Sequence, residues 1–182
     1  MASGFLIRDG SEHDILNCIE LDHSYSTDFV WQMSVSDTAG EWQISFKPQR
    51  LPRTLETHFA PDEARLRAAL PSDQCFLVAV AKPEPILLGY LTLRANLPHQ
   101  IALVQDIVVS RPYRRAKIAT RLLSAARQWA NEHNLLTLCA ENQTKNYPAT
   151  LFLQNAGFHF CGYNDHYFPN QEIAVFFSQS LR

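Results

Sequence analysis

The 182-residue chain has little glycine and little cysteine: six Gly and four Cys. So little glycine excludes a linker-like or collagen-like polymer. Cys18, Cys75, Cys139 and Cys161 show no CxxC spacing, and the seven histidines no HxxxH pairing. Neither a metal site nor a disulfide framework is expected, and the cysteines read as reduced core thiols of a cytoplasmic protein. No apolar run approaches the roughly 20 residues of a membrane span. Near the start only Phe5-Leu6-Ile7 is apolar, which argues against a secretory signal. Acidic residues are absent from Ile107 to Asn131.

What is present points to a packed core. The chain is 46% hydrophobic and 11% aromatic, enough to bury a core as a single domain spanning 1–182. Net charge is −2, but Arg111, Arg114, Arg115, Lys117, Arg121 and Arg127 supply six of the sixteen basic groups within the acid-free stretch. The remaining ten face eighteen acidic residues. A nucleic-acid binder is more often basic over a whole face. One basic segment on an acidic chain suits a small phosphorylated ligand better.

Patterning gives an α+β order. Phe5-Arg8 reads as a strand, and Ser11-Glu12-His13-Asp14 as a capping signature in which the Ser11 hydroxyl accepts from a first-turn amide. A helix ending near Leu21 follows, with Ile15, Leu16 and Ile19 on one face. Val30–Val35 and Trp42–Phe46 alternate around Ser36–Gly40, predicting a β-hairpin near 29–47 in which Trp31 and Trp42 can face each other. A short helix carries Ala64, Leu66, Ala69 and Leu70. Cys75–Ala81, apolar throughout, reads as a strand buried on both faces. Strands over Ile86–Arg94 and Ile101–Val109 follow. A long helix is expected after Pro112, with Ile118, Leu122, Leu123, Ala126, Trp129 and Ala130 inward. Leu135–Ala140 reads as a strand, Pro148–Ala156 as a helix capped by Gly157, and Phe158–Tyr163 and Ile173–Ser178 as the last strands.

The junction between the Ile101–Val109 strand and the long helix is where chemistry is expected. A helix start presents unpaired N–H groups and a positive dipole end to an anion, and Arg and Lys add charge-assisted bonds. Spacing alone leaves phosphate binding and a merely solvated basic helix start as equal alternatives.

Ile107-Val108-Val109, then Arg114 to Ala119, then Leu122-Leu123, resembles motif A of the GNAT acetyltransferase superfamily, Arg/Gln-x-x-Gly-x-Gly/Ala. Asn146-Tyr147-Pro148-Ala149 through Leu153 to Gly157-Phe158 resembles its motif B. Within the superfamily the pattern Ile107–Ser110, Glu141–Ala149 and Gly157-Phe158 is similar to streptothricin acetyltransferases. The resemblance implies a GNAT fold with a mixed, mostly antiparallel sheet. It implies acetyl-CoA as donor, a primary amine of a small molecule as acceptor, direct attack in a ternary complex, no metal and a homodimer. The pantetheine arm would lie along Ile107, Val108 and Val109. The pyrophosphate would lie on the amides of Arg114, Arg115, Ala116, Lys117, Ile118 and Ala119, with Asn146 also at the cofactor. Two positions depart from the pattern. Lys117 stands at the motif A glycine, and Leu153 at the motif B tyrosine that donates a proton to the leaving thiol.

The candidate base is Glu141, with Asp106 as a second carboxylate, and Tyr147, Tyr163 or Tyr167 as substitutes for the absent acid. Asp106 otherwise pairs with an arginine, and Glu141 with Lys145. Asp22, Tyr25, Trp31 and Trp42 form the candidate acceptor site, since acids and aromatics suit a cationic amine. The alternatives are a non-catalytic acyl-CoA sensor and a protein or peptide N-acetyltransferase.

Overall fold

Among the described residues nine strands and four α-helices form, the buried ones where apolar residues recur at period two or near four. The computed structural model describes residues 4–182. In chain order the elements are β1 (Phe5–Asp9), α1 (Ile15–Ile19), β2 (Tyr25–Thr38), β3 (Glu41–Thr57), α2 (Glu63–Ala68), β4 (Cys75–Ala81), β5 (Leu87–Asn96), β6 (Ile101–Val109), α3 (Ile118–Glu132), β7 (Thr137–Gln143), α4 (Tyr147–Asn155), β8 (His159–Asn164) and β9 (Ala174–Ser180). The chain clusters into two compact units. One comprises the described residues up to His23, Phe59–Glu141 and Ser178–Arg182; the other comprises Ser24–His58 and Asn142–Phe177. No helix among the described residues is long and apolar enough to cross a membrane.

In the first unit the strand order is β1-β4-β5-β6-β7, antiparallel except for the parallel β6–β7 pair. β4 is buried at every position before Ala81, as its unbroken apolar run requires. Its alternate residues feed two layers. Phe76, Val78 and Val80 pack with Ile15, Cys18, Leu66 and Tyr90 on the α1–α2 side. On the other side α3 buries Ile118, Leu122, Leu123, Ala126 and Ala130, the stripe expected from its sequence. Trp129 is the exception: half-buried, it stacks on His133 at 3.9 Å.

The entry to α1 is held by charge. The Ser11 hydroxyl donates to the Asp14 carboxylate at 2.8 Å, and the Ser11 N–H reaches the same oxygen at 2.8 Å. Arg8 grips both Asp14 oxygens at 2.7 and 2.8 Å. The Arg8 guanidinium holds the Asp14 carboxyl down to about 2, with Ser11 helping. A carboxylate with a depressed folded pKa stabilises above its ordinary value and loses that contribution as pH falls through the depressed one. Wild-type protein is therefore expected to lose about 2 kcal/mol between roughly pH 4 and pH 2 through this group. Asp14→Asn removes that part of the acid dependence, as urea unfolding at a series of pH values would show.

In the second unit β2 and β3 form a hairpin closed by the two-residue turn Ala39-Gly40, both at positive φ (54° and 86°), a conformation in which Gly40 carries no Cβ penalty. The hairpin runs over Tyr25–Thr57, well beyond the expected 29–47. The added β3 arm runs through the exposed Lys47–Arg50, so no apolar alternation marks it. The register also corrects the tryptophans. Trp31 pairs with Pro48 and Trp42 with Asp37, six residues apart along β2. Trp42 is 66% exposed, whereas Trp31 packs on Phe46 at 5.4 Å, Phe177 at 5.7 Å and Phe160 at 5.8 Å. The Trp31 N–H donates to the Thr144 carbonyl at 2.9 Å. Of the cysteines, Cys18 and Cys75 are buried and burial pushes both thiols to about 12. Cys161, expected in the core, is exposed, because the first half of β8 is exposed along its length.

Candidate functional site

A fork in the first sheet defines the site. The β6–β7 ladder holds from Ile101↔Thr137 to Val104↔Ala140 and stops. Leu93 pairs with Val104 and Thr92 with Asp106, so Gln105 is an extra residue in β6. Such a bulge bends the strand and raises its twist. From Gln105 to Val109 the side of β6 that met β7 has no ladder partner among the described residues. An open edge of N–H and C=O groups takes an extended amide-bearing ligand as an added strand. Ile107, Val108 and Val109 lie on this edge. β5 supports it from behind: Gly89 pairs with Val109, and a Cβ at Gly89 would overlap the Val108 carbonyl oxygen.

Beyond β6 the chain makes a 3-10 turn, Arg111–Tyr113, and α3 begins at Ile118 rather than directly after Pro112. The later start has a backbone cause: Arg115 (φ 68°) and Lys117 (φ 62°) are both left-handed, and no helix passes through such residues. Lys117 is the N-cap of α3 and no side chain caps that helix. The first-turn N–H groups thus remain donors for an anion. Arg115, Ala116 and Lys117 are exposed, Ile118 is buried and Ala119 half-buried. Arg114 turns inward instead, its Nε donating to the Val109 carbonyl and Nη2 to the Asp22 carbonyl, each at 2.9 Å. It ties the loop down; the donors left for a ligand are main-chain groups and the Arg115 and Lys117 side chains.

A left-handed residue with a Cβ costs roughly 1–2 kcal/mol. Lys117→Gly is therefore expected to raise Tm by about 2–8 °C. It should weaken acetyl-CoA by no more than about fivefold, the worth of one exposed cation beside phosphate. Thermal melts and titration of the same variant check both.

Two carboxylates stand at the fork. Glu141 follows Ala140, the last β7 residue of the ladder, and Asp106 follows the bulge on β6. Leu103 pairs with Cys139, two residues before Glu141, and with Arg94, two residues from the Thr92 that faces Asp106. Alternation therefore sets both carboxylates on one face of the sheet. Asp106 receives the Thr92 hydroxyl at 3.0 Å and Arg65 at 3.3 Å. Burial pushes its carboxyl above the ordinary value, while Arg65, Thr92 and His23 pull it back. Its arginine partner is thus real but lies 41 positions away on α2, invisible to local pattern. His23 faces Tyr90 with ring centroids 5.8 Å apart, and its Nε2 lies 2.9 Å from the Cys18 carbonyl.

The other expected residues have particular surroundings. Asp22 lies at the edge of ion-pair range, 4.0 Å from Arg111. Tyr25 is buried, which raises its hydroxyl pKa against a hydrogen bond with Thr57. In the second unit Tyr147 opens α4 half-buried, with its ring 5.9 Å from Phe29. Asn146 caps that helix, Oδ1 accepting from the Ala149 N–H at 3.2 Å. Leu153, at the position of the motif B tyrosine, is a buried core residue. Lys145 pairs with Glu172 at 2.7 Å. The Gln143 Oε1 is buried without a hydrogen-bond partner, the kind of acceptor that water or a ligand satisfies. No cluster of three or more His, Cys, Asp or Glu suited to a metal occurs among the described residues.

The acetyltransferase (GNAT) family model matches residues 35–158, more than half of the chain. The chain belongs to the GNAT acetyltransferase family. No curated protein matches it. Among solved structures this acetyltransferase is similar to a nourseothricin acetyltransferase, with TM-score 0.83 and 22% identity over 99% of this chain and 100% of that one. It is also similar to a protein assigned as a streptothricin acetyltransferase from Bacillus anthracis str. Ames, solved in complex with acetyl coenzyme A. Here the TM-score is 0.80 and identity 23%, over 97% of this chain and 98% of that one. The ribosomal-protein-S18-alanine N-acetyltransferase from Escherichia coli follows at TM-score 0.69 and 13% identity, over 98% and 94%. At these identities the likeness is one of fold.

Family membership makes acetyl-CoA the acyl donor. The residues present fit it. The open β6 edge suits the amide-bearing arm, and the uncapped start of α3 with Arg115 and Lys117 suits the phosphates.

Proposed function

We propose that the protein acetylates a primary amine of a small molecule by direct attack within a ternary complex. The observation that carries this reading is the fork, where an unladdered strand edge and two carboxylates share one end of one sheet. The donor supplies an acetyl thioester. The β6 edge from Ile107 to Val109 aligns it, and an N–H of that edge is the donor available to the acyl oxygen. Glu141 takes the proton that an ammonium must lose before its nitrogen can attack. Asp106, fixed by Thr92 and Arg65, adds a second negative group that favours an amine at the fork. Leu153 has no proton to give, so the sulfur leaves as the thiolate and takes its proton from water; a thiolate whose acid has a pKa of about 8.5 leaves readily.

One observation favours a non-catalytic acyl-CoA sensor, the burial of an apolar side chain at position 153. Thiol release separates the two. Incubation with acetyl-CoA and a panel of primary amines is expected to release free thiol in step with amine, and to add one acetyl group to the amine by mass. A sensor binds acetyl-CoA and releases no thiol with any amine.

A further inference from the structure

The second unit contains a cleft of about 900 Å³, within the range that holds small ligands. A break in the hairpin builds it. Thr27 pairs with Leu55 and Phe29 with Arg50, so Leu51–Thr54 bulge out opposite the single residue Asp28. The Thr54 hydroxyl donates to Asp28 at 2.6 Å and pins the bulge. The bulge forms one wall, and Trp31, Met33 and Ile173 give the cleft an apolar body. Trp31 is held from behind by Phe46, Phe160 and Phe177, so the wall is rigid.

The charge of the lining is the informative part. Its charged residues are Arg53, Lys145 and Glu172. Lys145 and Glu172 neutralise each other at 2.7 Å. Arg53 has no carboxylate within ion-pair distance among the described residues. The cleft therefore carries one uncompensated guanidinium beside an apolar body. That balance opposes a polycation and matches a carboxylate, which a guanidinium binds with two parallel hydrogen bonds.

We propose that this cleft binds an amphipathic amine bearing a carboxylate, such as an apolar amino acid or short peptide. Arg53 receives the carboxylate, and Trp31 and its neighbours receive the apolar side chains.

The test is calorimetric titration of the full chain with leucyl-phenylalanine and with its C-terminal amide. The two share an amine and side chains and differ by one negative charge. The acid is expected to bind at least about tenfold tighter, a difference of about 1.4 kcal/mol. Arg53→Gln should erase that difference while leaving the amide unchanged, and Arg53→Lys should restore part of it. Trilysine amide should bind more weakly than either dipeptide. Arg53 is exposed, so the variants are expected to melt with the wild type. Equal affinities for acid and amide, a preference that survives Arg53→Gln, or no binding of either would overturn the proposal. Acetyl-CoA is titrated in parallel. If it binds and the acid–amide difference is absent, this inference falls alone. If it does not bind and the difference is present, the acetyltransferase reading falls and the charge preference stands.

Discussion

Glu141→Gln is expected to lower kcat by about 100-fold or more while leaving the affinity for acetyl-CoA unchanged. Removal of a positioned base costs typically 10²–10⁴ in rate. The substitution preserves shape and takes away the acceptor for one proton. Glu141 sits one residue beyond the last β6–β7 pair, at the fork and away from the start of α3. The pH profile separates a base from a structural carboxylate. A free alkyl amine has a pKa near 10, so the share already deprotonated rises tenfold with each pH unit below that value. The gap between wild type and Glu141→Gln should therefore narrow as pH rises from 7 towards 10. A gap constant with pH means that Glu141 only holds the strand end in place. Asp106→Asn is the companion. Because Thr92 and Arg65 fix that side chain, its loss should raise KM for the amine more than it lowers kcat.

Gly89→Ala is expected to raise KM for acetyl-CoA by about ten- to a hundredfold with a smaller change in kcat. A Cβ there would overlap the Val108 carbonyl oxygen and lie 3.1 Å from the Val109 Cα. These are backbone atoms of β6 and cannot swing aside as a flexible side chain could. The strand must shift, at a cost of about 1–3 kcal/mol in stability, or about 2–4 °C in Tm for each kcal/mol. Since Val108 and Val109 form the open edge, the shift would move the groups proposed to align the donor, and misplacement by about 1 Å costs up to about 100-fold. Gly89 stands out by the close approach of the β6 backbone, which composition gives no reason to expect. A fall in Tm with unchanged KM would show that the open edge does not hold the cofactor.

How far the sequence could be read depends on which features are local. β4, β6 and α3 were legible because their apolar residues recur at the period of the element that buries them, and the Ile101–Val109 bounds matched. The arms of β2 and β3 were not, because stretches such as Lys47-Pro48-Gln49-Arg50 face solvent along a two-stranded ribbon and bury no stripe. A turn of two residues rather than five sets the register and moves the partner of Trp42 to Asp37, further from Trp31. Motif resemblance pointed to the loop before α3, and the left-handed Lys117 explains in backbone terms why glycine suits that position. The bulge at Gln105 carries no glycine or proline to mark it, so the fork could be located only by its strand and not by its cause. Arg65 on Asp106, and Arg53 and Trp31 lining one cleft, bring together residues far apart in the chain. No local pattern contains them.

The central claim is that the open β6 edge and the start of α3 hold acetyl-CoA despite Lys117. Calorimetric titration of the intact protein with acetyl-CoA, with adenosine diphosphate as the control, tests it most directly. The account predicts saturable binding near the micromolar range, about −8 kcal/mol, and weaker binding of the nucleotide, which engages only the loop. No heat at several temperatures, together with no shift in Tm at millimolar acetyl-CoA, would contradict it and leave an acetyltransferase fold without its donor.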